Sequence, residues 1–121
     1  MKTPTLTVAA AVFVISAGTA LAHPLPKSAT PKPNSVLATS PTEIRIGFSE
    51  GLVLAFSGIE LDDQSGKPVQ TGDASLNPAD DKELVTPIKA TLTVGSYTVK
   101  WHVVGDDTHH VAGHYTFQVK P

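Results

Sequence analysis

The clearest alternation of apolar and polar residues follows Gly95. Tyr97, Val99, Trp101 and Val103 fall on one side of an extended chain and Thr98, Lys100 and His102 on the other, which predicts a long strand with one buried face. After the polar stretch Gly105-Asp106-Asp107-Thr108-His109-His110, the alternation resumes at Tyr115, Phe117 and Val119, so the two segments read as arms of a hairpin. Residues 43–49 predict a third strand, with Ile44, Ile46 and Phe48 inward and Arg45 and Gly47 outward. Residues 52–61 read as a further extended region broken near Ser57-Gly58. Turn-forming residues at 62–66 and 72–81 predict that 62–81 is a loop, with one short strand at 67–70. Pro24, Pro26, Pro31, Pro33 and Pro41 exclude a long helix from the first part of the chain and favour extended segments at a sheet edge. Short strands at this spacing imply an all-β sandwich or barrel.

The first 22 residues stand apart from this pattern. Lys2 supplies a positive start, residues 6–15 are mostly apolar but short for a bilayer span, and Ala20-Leu21-Ala22 ends the run on small residues. This layout predicts a secretory signal peptide over 1–22, cleaved after Ala22, and a single domain over 23–121 that begins with His23. A domain of that size buries roughly 60 to 70% of its unfolded surface, enough for one core. Without Lys2 the mature chain carries 8 basic against 11 acidic residues, a net charge of −3 with histidines neutral, and it lacks the basic stripe expected of a nucleic-acid binder. It has no second apolar span, so the mature form is not expected to be membrane-embedded. Cysteine is absent despite the secretory context, and Met1 is the only methionine. The mature chain therefore offers no thiolate or thioether to a soft metal ion.

Cleavage would give His23 a free α-amine beside its imidazole, two nitrogens able to chelate one ion. Cu(II) favours tetragonal nitrogen and oxygen ligation and stands at the top of the divalent affinity order. Pro24 has no N–H, so its backbone nitrogen cannot join the ion, and the remaining ligands must come from elsewhere in the fold. Asp107 and His109 are candidates, because residues two apart in an extended loop point the same way, with Thr108 and His110 pointing away. Each feature also has a plainer reading: a frayed terminus that begins with histidine, and a solvated polar turn.

Taken together, Gly95-Ser96-Tyr97-Thr98-Val99-Lys100-Trp101-His102-Val103-Val104, then Asp107-Thr108-His109, then Gly113-His114-Tyr115-Thr116-Phe117, resemble the C-terminal signature of the CopC family of periplasmic copper-resistance proteins. His23, Ser28-Ala29-Thr30-Pro31 and Phe48-Ser49-Glu50 are similar to the same family's N-terminal half, so the resemblance spans nearly the whole mature chain. It implies a Greek-key β-sandwich of immunoglobulin-like or cupredoxin-like shape. It implies one Cu(II) held by the amine and imidazole of His23, the carboxylate of Asp107 and the imidazole of His109. Glu50 matches a family acid near the site, either touching copper or hydrogen-bonding the terminal amine. The implied role is a periplasmic copper carrier or buffer without catalysis. Its implied partners are the copper ion and either an inner-membrane copper transporter of the CopD type or another periplasmic copper protein.

Two departures from the family pattern stand out. His110 replaces the proline common after the Asp-x-His motif, and the methionine-rich loop that some relatives use for Cu(I) is missing. His102 and His114 are expected to be exposed strand residues and Trp101 a core residue. Two rival functions stand beside the carrier. One is an oxidase resembling lytic polysaccharide monooxygenases, which also use an N-terminal histidine copper site; the other is a metal-free immunoglobulin-like scaffold. Zinc is a further candidate for the same ligands.

Overall fold

Where apolar and polar residues alternate, the computed structural model places a strand with its apolar side turned inward. It describes residues 24–121, so the segment read as a signal peptide and His23 lie outside the described residues. The strands are β1 (Pro26–Thr30), β2 (Val36–Leu37), β3 (Glu43–Phe48), β4 (Gly58–Asp62), β5 (Ser75–Asn77), β6 (Asp80–Pro87), β7 (Gly95–Val104) and β8 (His110–Val119). They form two four-stranded sheets, in the orders β1-β3-β6-β5 and β2-β8-β7-β4. All neighbours pair antiparallel except β2 with β8. The chain changes sheet at every step from β1 to β5 and again between β6 and β7, so hydrogen-bonded neighbours are mostly not consecutive. This is the expected β-sandwich of Greek-key type.

The core lies between the sheets. Ile44, Ile46 and Phe48 of β3 face Val99, Trp101 and Val103 of β7 and Phe117 of β8, all buried as the alternation predicts. Phe48 and Trp101 meet edge to face at 5.2 Å between ring centroids and so link one sheet to the other. Such an aromatic pair adds about 0.5–1.5 kcal/mol beyond its buried area. Tyr97 stacks on Phe117 at 5.6 Å, and its hydroxyl donates to the Thr93 carbonyl at 2.7 Å, so a polar atom at the core's edge is satisfied. No helix among the described residues is long and apolar enough to cross a membrane.

Three expectations need correction. Only the second half of 52–61 is a strand, because Leu54–Phe56 turn as a short 3-10 helix that leaves Leu54 and Phe56 exposed. The strand expected at 67–70 is absent: Pro68 lacks a ladder donor, and the segment makes a single bridge, Asp62 to Pro68. The region read as a loop instead contains β5 and the start of β6, and β6 went unrecognised because its inward positions include a polar residue, the fully buried Thr86. Its outward Glu83 pairs with Arg45 of β3 at 2.6 Å.

Candidate metal centre

After Phe48 the chain leaves one sheet and crosses to the other through Ser49-Glu50-Gly51-Leu52. One side of this crossing is sewn to the first described residues. The Leu25 N–H donates to Ser49 Oγ at 2.9 Å, and the Ser49 N–H donates to the Leu25 carbonyl at 2.8 Å. Pro24 just before them is fully buried. The other side is tied to the hairpin between β7 and β8. There the Asp106 N–H donates to the Gly51 carbonyl at 3.0 Å, the Val53 N–H donates to the Val104 carbonyl at 2.8 Å, and Leu52 bridges Gly105. Glu50 is thereby held against the turn that carries Asp107 and His109.

That turn is not the extended loop the sequence suggested. β7 and β8 stay in register up to Val104 opposite His110, so the chain must reverse within five residues. The Thr108 N–H donates to the Gly105 carbonyl at 2.8 Å and the Gly105 N–H to the His109 carbonyl at 3.1 Å. Thr108 itself takes a positive φ of 71°, unusual for a β-branched residue and imposed by the tight reversal. Asp107 and His109 nevertheless converge. Asp107 Oδ1 accepts the His109 N–H at 3.1 Å, closing an Asx-type turn, while Oδ2 lies 2.8 Å from His109 Nδ1. With the proton on Nδ1 the ring donates to the carboxylate; an ion taken by both side chains at once would displace that proton and bind where Oδ2 and Nδ1 meet.

The electrostatics of Asp107 and Glu50 diverge. The His109 hydrogen bond, more than any other influence, holds the Asp107 carboxyl below the usual carboxylate range. Glu50 moves the other way: burial pushes its carboxyl up, and the Asp107 and Asp106 carboxylates add to the effect against a smaller pull from His109. Glu50 Oε1 is buried without a hydrogen-bond partner among the described residues. Three carboxylates and one imidazole thus lie within electrostatic reach of one another, and Glu50, whose carboxyl shares a hydrogen bond with Asp107, keeps one oxygen without a partner among the described residues.

Among the described residues no group of three or more His, Cys, Asp or Glu side chains is placed to hold a metal ion. The structure brings Asp107 and His109 together and Glu50 within their electrostatic reach, while His23 lies outside the described residues. His102 and His114 are exposed and Trp101 is buried, as expected. His110 is exposed and belongs to β8 rather than to the turn. Two contributors escaped the sequence reading. Asp106 adds to the negative field, and its adjacency to Asp107 was the available signal. Ser49 anchors Leu25, and only its place in Phe48-Ser49-Glu50 hinted at a role.

Residues 26–120 match the CopC domain. The chain belongs to the CopC family. Protein YobA of Escherichia coli (strain K12) is 40% identical to it over 90 residues, which cover 74% of this chain and 73% of that protein. Copper resistance protein C of Pseudomonas syringae pv. tomato is 37% identical over 124 residues, covering 98% and 97% of the two chains. Among solved structures, PcoC, a methionine-rich copper resistance protein from Escherichia coli, is similar with a TM-score of 0.74 and 38% identity, covering 82% of this chain and all of that one. This CopC-family chain has only Met1, so it departs from that methionine-rich relative in the donors it can offer.

Proposed function

We propose that this CopC-family protein binds one Cu(II) ion as cargo in the periplasm and serves copper resistance and homeostasis as a carrier or buffer, with no catalytic turnover. The observation that carries the reading is the Asp107–His109 pair, locked in its turn beside Glu50 at the place where Leu25 is pinned to Ser49. Pro24, buried next to that anchor, is where the described residues begin. His23, freed by removal of residues 1–22, would add its amine and imidazole to the Asp107 carboxylate and the His109 imidazole. The unpartnered Glu50 Oε1 would accept a hydrogen bond from the terminal amine or touch the ion. An anionic pocket of nitrogen and oxygen donors without sulfur suits Cu(II) and offers little to Cu(I). Partners would be an inner-membrane copper transporter of the CopD type or another periplasmic copper protein, in line with the copper-resistance names of its relatives.

Titrating the protein that begins at His23 with Cu(II), while following electron paramagnetic resonance, tests the reading. One equivalent bound with mixed nitrogen and oxygen ligation, and easy loss of Cu(I) to a chelator, is expected. Tight retention of Cu(I), or no saturable Cu(II) site, would overturn it.

A further inference from the structure

Gly105 ends the run of buried residues at the close of β7 and opens the turn that carries the Asp107–His109 pair. Its backbone is fixed by the bond from its N–H to the His109 carbonyl, by the bond its own carbonyl accepts from Thr108, and by the bridge to Leu52. Its φ is not positive, unlike those of Gly66 and Gly95, so conformational freedom does not explain a glycine here. Space does. A Cβ on residue 105 would overlap Glu50 Oε1, and would lie 3.1 Å from the Glu50 carboxyl carbon and 2.9 Å from Asp107 Oδ1. The volume a side chain would fill is taken by the Glu50 carboxyl group.

We propose that Gly105 is a positioning residue of the metal centre: the space it leaves empty lets the Glu50 carboxyl close in on Asp107 and become part of the ion's surroundings. The inference rests on the copper reading above and extends it to a residue with no donor atom of its own. An alanine at 105 can keep the same backbone angles and all the main-chain bonds. What must yield is chiefly the end of the flexible Glu50 side chain and, slightly, Asp107 Oδ1, not the backbone. The substitution therefore displaces one carboxyl group from the centre while leaving the hairpin intact, and a divalent ion loses one of its two nearest negative partners.

A double-mutant cycle on the protein beginning at His23 decides it. Gly105→Ala and Glu50→Ala are each expected to weaken Cu(II) binding roughly tenfold, the low end of the loss seen when a residue supporting a metal ligand is removed. Both should shift the electron paramagnetic resonance spectrum in the same sense. The double variant should lie close to Glu50→Ala alone, well short of the product of the two losses, because the main overlap of the added Cβ is with Glu50. Additive losses, or an alanine variant with parental affinity and spectrum, would overturn the proposal. A metal-free readout separates this inference from the reading beneath it: the Glu50 side-chain carboxyl carbon resonance should move in Gly105→Ala. An unmoved resonance sinks the positioning role even if copper binds, whereas failure of the parent protein to bind Cu(II) sinks the copper reading itself.

Discussion

Thr108 carries a φ of 71° between Asp107 and His109, and this angle changes why the two side chains meet. In an extended loop they would share a side by alternation. Here they converge because the Asp107 carboxylate caps the turn through the His109 N–H and then holds the ring through Nδ1. The pairing of residue types was legible in the sequence, but the backbone path was not, because it depends on β7 and β8 staying paired up to the reversal. His110 starts β8 and takes no part in the turn's bonds. His109→Ala is therefore expected to weaken Cu(II) binding by about 100-fold or more, beyond what loss of a supporting residue costs, while His110→Ala leaves it unchanged. Competitive titration checks the pair of variants, and equal losses would assign the imidazole to the wrong histidine.

At the scale of elements, β3, β7 and β8 were legible because each has one face in the core and one in water, so burial wrote a period of two into the residue order. β6 hid because Thr86 occupies a buried inward position while Val85 faces outward, and Thr86 Oγ1 is left without a hydrogen-bond partner among the described residues. The segment after β4 turns where its residue types predicted, because side-chain bonding closes a tight loop over 63–67, just ahead of the expected strand that does not form. Asp63 Oδ1 accepts from the Ser65 N–H at 2.9 Å, the Ser65 hydroxyl at 2.6 Å and the Lys67 N–H at 3.0 Å. These bonds, the Ser65 hydroxyl foremost, hold the Asp63 carboxyl below its ordinary range. A depressed folded-state value means the ionised carboxylate stabilises the fold above its unfolded value of about 3.9, and that help is lost as pH falls through the lower, folded value. Asp63→Ala should accordingly lower Tm at neutral pH, with the gap from the parent protein closing on acidification. Thermal melts across pH read this directly, and a gap constant with pH would contradict it.

For the whole molecule, the proposed site couples export to chemistry. Before cleavage, the nitrogen of residue 23 belongs to a planar amide and has no lone pair to give. A protein that begins at His23 should bind Cu(II) tightly, and one with a single extra methionine ahead of it should not. Because a free α-amine titrates at roughly 7.7 to 8.0, copper must displace a proton near neutrality, and affinity should rise with pH up to that range. Matching affinities and spectra for the two proteins would remove the terminal amine from the ligand set. Residue order was enough to establish the all-β class, three of the main strands, the absence of cysteine and of any methionine after Met1, and the chemistry available to Asp107 and His109. These are properties of short segments, set by alternation and by side-chain type. Only the packing of the two sheets decided that Glu50, on the crossing between them, would lie half-buried beside Asp107, and that Gly105 would leave the room for it. Such meetings depend on which strands pair and where the chain changes sheet, and no local pattern encodes that.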